Sequence, residues 1–128
     1  MTYASLPDQR AVAAPHAPAV ADDTLDLDNT AFADAVRRAA ATLRAAGVGR
    51  GDVVAIKLPN TAVLVVAMFA AWRLGAAATP INPSLTTAEV EYQISDAGAK
   101  VLVSSDGAGT SVPVLEADSL TAAEPDGG

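Results

Sequence analysis

The sequence contains no cysteine and only one histidine, and these absences exclude several kinds of site. Without cysteine, the chain cannot form disulfide bonds, thiolate metal sites or a thiol nucleophile. His16 lies between Pro15 and Pro18 in a surface-like segment, and no Ser/His/Asp arrangement can be built around it. The lack of cysteine also agrees with a reducing compartment, so we expect a cytoplasmic location.

Basic residues are few, and they are not concentrated in any stretch of the chain. Lysine and arginine together number 8 against 15 acidic residues, which gives a formal net charge of −7. Arg37 and Arg38 form the only adjacent basic pair. Because nucleic-acid binding needs a basic surface to neutralise phosphates, we expect no nucleic-acid partner.

Aromatic residues make up only 4% of the chain, whereas 30 residues are alanine. This composition predicts a core of small side chains and close backbone approach. The longest apolar run, residues 62–72, has eleven residues, while a bilayer span needs about 20. The amino terminus lacks the basic region and apolar run of a signal peptide. We therefore expect a buried core helix, no membrane span and no signal peptide.

Residues 52–104 alternate short apolar runs with segments of helical length. The runs at 52–58, 77–81 and 100–105 are typical of strands, and residues 60–75 and 86–97 are typical of helices. This β-α-β-α-β order predicts parallel strands joined by right-handed helical crossovers. We predict an α/β fold with a partial doubly wound parallel sheet. Sheets of this kind usually bind ligands beyond the carboxyl ends of their strands.

A hairpin and a helix are predicted before this core. The hairpin strands are expected at residues 19–21 and 24–27, around a turn at Asp22-Asp23. The helix is expected to begin with Thr30 as its N-cap, to run to residue 46 and to end at a left-handed Gly47. Its predicted core stripe consists of Phe32, Val36, Ala39, Ala40 and Leu43. Asp34 and Arg38 are expected to form a favourable i, i+4 pair.

These elements suggest one incomplete amino-terminal subdomain over residues 1–128. We divide it into a leader with a short hairpin at 1–29, an α/β core at 30–104 and a loose carboxyl-terminal segment at 105–128. The leader contains a weakly helical patch at 8–14, and the last segment contains a possible short strand at 112–115.

The helix predicted at residues 60–75, with Asn60 as its N-cap, has apolar side chains on every side. Such a helix must be covered all round. The sheet can cover one side and the alanine-rich helix 30–46 can cover another in part, but no other segment is an obvious candidate. We therefore expect the isolated chain to expose an apolar patch that binds dye or drives self-association.

The last predicted helix opens with Thr86 and Glu89 in a capping-box pattern and stops at Gly98. Val90, Ile94 and Ala97 are expected to face the core. Glu89 and Glu91 do not share a helix face, so a paired-carboxylate site is not expected.

Two glycine-containing loops superficially suggest phosphate binding, which requires a loop that follows a strand and opens a helix. Gly47, Gly49 and Gly51 instead follow a helix and precede a strand. The loop that begins at Asp106 follows a strand, but no lysine comes after it and no helix pattern opens beyond it. We interpret both as connecting loops.

Two proline-containing segments leave the predicted strands at their carboxyl ends. Pro80-Ile81-Asn82-Pro83 follows the middle strand, in the region where ligands often approach. Leu58-Pro59-Asn60 follows the first strand. We favour a rigid connector for both segments.

Several short motifs follow one another in an order and spacing typical of one enzyme family. They are Thr30-Ala31-Phe32-Ala33-Asp34, Gly47-Val48-Gly49-Arg50-Gly51-Asp52-Val53-Val54-Ala55, Leu58-Pro59-Asn60, Arg73-Leu74-Gly75-Ala76, Pro80-Ile81-Asn82-Pro83 and Asp96-Ala97-Gly98-Ala99-Lys100. Over roughly residues 5–120, the chain resembles the start of the AMP-forming, adenylate-forming ligases. This family includes acyl-CoA synthetases, firefly-type luciferases and peptide-synthetase adenylation domains. Residues 82–100 look most like the acyl-CoA synthetase and coumarate–CoA ligase branch.

The resemblance implies a parent enzyme that activates a small carboxylic acid with ATP to an acyl-adenylate, releases pyrophosphate and transfers the acyl group to coenzyme A. It implies ATP, Mg²⁺ and coenzyme A as cofactors of the whole enzyme and none for this chain. The family's phosphate loop, ribose-binding acid and catalytic lysine have no matching position here. We therefore assign no catalytic, cofactor-binding or metal residue.

Three interpretations follow from the sequence. The first is the amino-terminal scaffold of an acyl-CoA synthetase, inactive alone, whose partner is the remainder of the ligase or a complementary chain. The second is a stand-alone, non-catalytic α/β domain that pairs with a partner through an exposed apolar face. The third is a small nucleotide-binding protein.

Overall fold

The computed structural model describes residues 3–22, 25–106 and 110–122. A 3-10 turn at Tyr3–Ser5 opens this part of the chain, and another at Ala117–Ser119 lies near its end. Between them lie α1 Leu6–Ala13, β1 Pro18–Ala21, β2 Asp26–Asp28, α2 Asn29–Ala45, β3 Val53–Lys57, α3 Ala62–Arg73, β4 Ala77–Pro80, α4 Thr87–Ala97, β5 Val101–Ser104 and β6 Val114–Glu116.

The main sheet has the strand order β4-β3-β5-β6, and every pairing in it is parallel. This confirms the α/β fold class and the β-α-β-α-β core. β1 and β2 form the predicted antiparallel hairpin, although the expected start of its second strand at Thr24 lies outside the described residues.

The two crossover helices lie on opposite faces of the sheet. On the first face, Val54 and Ile56 of β3 share a core with α2 and α3. On the second face, Ala55 shares a core with Val90 and Ile94 of α4. This alternation follows from the period-two side-chain geometry of a strand. Both central strands are therefore covered on both sides, as in a doubly wound sheet.

Alanine dominates the contact between the helices of the first face. α2 and α3 pack against each other, and each presents fully buried alanines to the core. These residues are Ala39, Ala40, Ala67, Ala70 and Ala71. Because alanine side chains are small, the backbones of the two helices approach closely.

α2 begins earlier than predicted, and Thr30 is not its N-cap. Asp28 caps the helix by accepting a hydrogen bond from the Ala31 amide at 2.8 Å. The hydroxyl and amide of Thr30 instead both donate to the Pro15 carbonyl, at 3.1 and 3.0 Å. Thr30 thus links the leader to the helix, and Asp28 is the N-cap residue.

The carboxyl end of α2 and its ion pair agree with the prediction. Gly47 has φ +95°, its amide donates to Arg44, and the Val48 amide donates to the Leu43 carbonyl at 3.0 Å. These are the two hydrogen bonds of a Schellman motif, which needs a left-handed residue at this position. The Asp34–Arg38 pair is confirmed at 2.8 Å.

α3 begins at Ala62, so the prediction that Asn60 caps it is wrong. Thr61 has extended backbone and accepts a hydrogen bond from the Leu64 amide at 3.4 Å. Asn60 lies one residue too early to reach the first free amides of the helix, and it is exposed. Within the described residues, no helix combines the length and hydrophobicity needed to cross a bilayer.

The expectation that nothing else in the chain covers α3 is also wrong. The turn at Tyr3–Ser5 and strand β1 pack against α3. Large α3 side chains such as Val65, Phe69 and Trp72 are half-buried rather than exposed. The sequence pattern missed this cover because half of the apolar residues of the leader are alanine, and the large ones are widely spaced. Dye binding by the isolated chain stays a prediction.

The expected loose character of residues 105–128 does not hold for residues 114–120. β6 extends the sheet beside β5, close to the possible strand predicted at 112–115. Leu120 is fully buried, and its carbonyl accepts a hydrogen bond from the Thr42 hydroxyl at 2.7 Å. This segment therefore belongs to the packed core.

Candidate functional site

The carboxyl edge of the sheet is the candidate site because the strand order reverses there. From β3 the chain leads to β4 on one side, whereas from β5 it leads to β6 on the other, so the switch point lies between β3 and β5. In an open α/β sheet, a switch point forms a crevice beyond the strand ends where ligands usually bind. The amino termini of α3 and α4 lie at the same edge of the sheet, and free helix amides would suit an anionic ligand.

The amino terminus of α3 already contacts a carboxylate of the chain itself. Asp22, at the tip of the hairpin, accepts a hydrogen bond from the Ala62 amide at 2.6 Å. Its other oxygen accepts from the Leu25 amide at 2.8 Å. The position where a phosphate would meet the helix dipole is therefore taken by Asp22. Sequence reasoning assigned Asp22 only to a turn, since no local signal links it to a helix 40 residues later.

The amino terminus of α4 also holds its own carboxylate, in the predicted capping box. The Glu89 side chain accepts from the Thr86 amide at 2.9 Å, and the Thr86 hydroxyl accepts from the Glu89 amide at 3.2 Å. The hydrogen bond from the Thr86 backbone, followed by the Thr86 side chain, lowers the pKa of Glu89. Glu89 is therefore ionised where an incoming anion would have to bind.

The proline-containing segment after β4 acts as a connector. Ile81 is buried, and its amide continues the sheet by donating to the Ile56 carbonyl at 2.8 Å. The Asn82 side-chain oxygen accepts from both the amide and the hydroxyl of Ser84, at 2.9 and 2.7 Å. Asn82 thus closes a local turn, and these contacts support the interpretation as a rigid connector.

The structure adds a polar cluster at the ends of β3 and β5. Lys57 Nζ lies 3.1 Å from Asp106 Oδ1, and the Ser104 hydroxyl donates to the same oxygen at 2.9 Å. Only 12% of the Lys57 side chain is exposed. The Ser104 hydrogen bond, followed by the hydrogen bond and charge of Lys57, lowers the pKa of Asp106.

The sequence analysis missed this cluster because it considered only lysines that follow the loop at Asp106. The parallel register places Lys57 opposite Ser104, which brings the lysine to the loop from 49 residues earlier. A predicted register between the first and third strands could have found it.

The remaining candidates contact other groups of the chain itself. The Gly49 amide donates to Asp52 at 2.8 Å, so the glycine turn also contacts its own carboxylate. His16 is 89% exposed and lies 3.6 Å from Asp28. Glu91 binds the amide and hydroxyl of Ser111, at 2.6 and 3.0 Å, and works apart from Glu89. Among the described residues, no group of three His, Cys, Asp or Glu side chains could hold a metal ion.

The geometry of this edge suits a structural role better than polyphosphate binding. Asp22 and Glu89 lie at the two helix amino termini of this edge, and Asp106 neutralises the nearby Lys57. A triphosphate would have to displace these carboxylates or lie against their charge. The residues that are present therefore do not fit ATP or its Mg²⁺.

Comparison with known proteins places this fold in a well-populated group. A family model described as "AMP-binding enzyme" matches residues 7–126. The long-chain-fatty-acid–CoA ligase FadD13 of Mycobacterium tuberculosis is 38% identical over 111 residues, which cover 85% of this chain and 22% of the ligase. The 4-coumarate–CoA ligase 3 of Oryza sativa is 51% identical over 69 residues, covering 54% of this chain and 12% of that protein.

A solved structure matches nearly the whole chain. The N-terminal subdomain of Klebsiella oxytoca NpsA, in complex with anthranilyl-AMSN, superposes with a TM-score of 0.85 at 26% sequence identity. The match covers 98% of this chain and 34% of that one. The chain therefore spans about a third or less of the length of each protein compared.

Proposed function

Because the chain belongs to the family of AMP-binding enzymes, we propose that it is the amino-terminal scaffold portion of an ATP-dependent carboxylate–CoA ligase. In the whole enzyme, a small carboxylic acid reacts with ATP to give an acyl-adenylate and pyrophosphate, and the acyl group then passes to coenzyme A. The chain's partner is the remainder of the ligase or a complementary chain. The site of action is the cytoplasm.

Two observations support the CoA-ligase branch and the scaffold role. Two of the relatives are named as CoA ligases, one for long-chain fatty acids and one for 4-coumarate. The described chain contributes four parallel strands, and the outer edges of β4 and β6 have no partner strand among the described residues. Such edges are available for further strands of a larger sheet.

The observation that carries the proposal is the occupation of the ligand edge by the chain's own carboxylates. Asp22 accepts a hydrogen bond from the first amide of α3, and Glu89 accepts one from the amide of Thr86, the N-cap of α4. The motif residues Asn82, Gly47 and Gly98 act in turns and helix ends. The chain alone therefore provides structure, and the groups that bind ATP, Mg²⁺ and coenzyme A belong to the rest of the enzyme.

ATP–pyrophosphate exchange tests this proposal directly. The purified 128-residue chain is assayed with hexadecanoate and with 4-coumarate, beside FadD13 as a positive control. We expect exchange at background for this chain, because the described edge does not fit a triphosphate. Clear exchange by the chain alone would contradict the scaffold role.

A chimera tests the family assignment separately. Replacing the matched 111 residues of FadD13 with the corresponding part of this chain should leave a folded enzyme with measurable exchange. A folded chimera with no exchange would show that this chain cannot serve as the amino-terminal part of such a ligase.

The other two interpretations have less support. A stand-alone domain that pairs through an exposed apolar face would need α3 to be uncovered, but the leader packs against it. A nucleotide-binding protein would need free amides at the helix amino termini. A rise in the thermal midpoint of the chain on adding ATP would favour this last alternative.

A further inference from the structure

The segment 3–13, which we call the strap, lies across the outer surface of α2 and α3. It contains the turn at Tyr3–Ser5 and helix α1. The N-cap residue of α1, Ser5, makes no side-chain capping hydrogen bond, and Val12 is 87% exposed. An isolated helix of 8 residues is marginally stable at best. The strap therefore depends on its contacts with the rest of the chain.

One carboxylate makes the charged link between the strap and the helices beneath it. Asp8 Oδ1 lies 2.7 Å from an Arg37 nitrogen of α2, and Asp8 Oδ2 lies 2.7 Å from an Arg73 nitrogen of α3. The Arg73 side chain is only 13% exposed. Charge-assisted hydrogen bonds of this length are stronger than neutral ones, and burial of one partner reduces screening by water. Asp8 thus forms ion pairs that link α1 to both α2 and α3.

Packing beneath the strap is incomplete. A half-open cavity of about 450 Å³ lies between the strap, the hairpin and the two helices. Leu6 and Pro7 of the strap line one side, and Phe32, Val65 and Phe69 line the other. A void of this size removes dispersion contacts that would otherwise hold the strap in place. The strap is therefore held by the ion pairs of Asp8 together with limited apolar packing, in which Pro7 is buried.

We propose that residues 3–13 form a detachable strap that Asp8 holds closed over an apolar cavity. When the strap opens, the surface formed by Val65 and Phe69 becomes accessible. The apolar patch expected from the sequence is then a property of the open state. This inference does not depend on the catalytic role of the whole enzyme.

Hydrogen–deuterium exchange on the 128-residue chain tests the strap. In Asp8→Asn, amides of residues 3–14 should exchange about tenfold faster, because local opening loses its charged link. Amides of β3 and β5 should keep their protection, which shows that the chain is still folded. Asp34→Asn is the matched control, since it removes an ion pair between two residues of α2 itself. Asp8→Glu retains the charge and should restore part of the protection.

Two further measurements use the same variants. Trp72 is the only tryptophan, and its ring lies 5.0 Å from that of Phe69 in an edge-to-face contact. Opening should change Trp72 fluorescence and increase binding of an apolar dye in Asp8→Asn but not in Asp34→Asn. High salt should speed exchange of the strap in the natural chain more than in Asp8→Asn. If Asp8→Asn changes strap exchange no more than Asp34→Asn, apolar packing alone holds the strap and the proposal is wrong.

Discussion

The two faces of the parallel sheet are covered in different ways. On the first face, α2 and α3 pack side by side, and the leader lies over them through distant contacts such as Asp8–Arg73 and Asp22–Ala62. On the second face, α4 packs on the sheet together with Leu85 and Val112, and its ends are set by its own capping box and by Gly98. The two ends of α4 are therefore set by local contacts, whereas the leader reaches the helices of the first face through contacts between distant residues.

The largest expected effect is the loss of stability when a core side chain of either face is shortened to alanine. Leu43→Ala on the first face should lower the free energy of unfolding by about 3–4 kcal/mol, and Ile94→Ala on the second by about 2–3 kcal/mol. Both side chains are almost fully buried, but α4 has solvent behind it and can move inward to reduce a cavity. Urea unfolding measures both values. Val12→Ala, at an exposed position, serves as the control and should change the value by less than about 0.5 kcal/mol. If Ile94→Ala lowers the free energy of unfolding as much as Leu43→Ala or more, the expected difference between the two faces is wrong.

A second prediction compares the two helix amino termini. Asp22→Ala should destabilise the chain by about 1–2 kcal/mol, because it removes both the distant carboxylate at α3 and a hydrogen bond within the hairpin. Thr86→Ala should cost about 1 kcal/mol, since it removes one local capping bond at α4. Asp26→Ala controls for the loss of an acidic residue from the hairpin. A cost for Asp22→Ala no larger than that for Asp26→Ala would show that the hairpin does not hold α3.

The smallest expected effect is on the titration of Asp106. Its pKa is lowered by the Ser104 hydrogen bond first and then by the hydrogen bond and the charge of Lys57, so Ser104→Ala and Lys57→Met should each raise the pKa. A carboxylate whose folded pKa is depressed stabilises the fold above its unfolded pKa and loses that contribution as pH falls through the folded pKa. The effect is therefore confined to acidic pH. NMR titration of the side-chain carboxyl measures the pKa, and an unchanged pKa in either variant would contradict the cause assigned to that residue.

Local signals explain why much of the fold could be predicted from the sequence. The Thr86–Glu89 capping box, the left-handed Gly47 and the alternation of apolar runs each act over a few residues. The first residue of α2 could not be predicted from such local signals. Asp28 and Thr30 are both good capping residues, and the choice between them was decided by the Pro15 carbonyl.

Contacts between distant residues explain what was missed at the candidate site. Lys57 and Asp106 meet only because β3 and β5 pair in one particular register, and Asp22 reaches α3 only once the hairpin has folded against it. Strand order alone predicted where a ligand would approach. The charged residues at that edge could be identified only from the tertiary structure.

The alanine contact between α2 and α3 has a mechanical consequence. Bulky side chains between helices can change rotamer and absorb a displacement, but alanine has no such freedom. A force applied to one of these helices is therefore transmitted almost undiminished to the other. While the strap is closed, Asp8 contacts both helices, so a displacement of either helix would be shared by the pair.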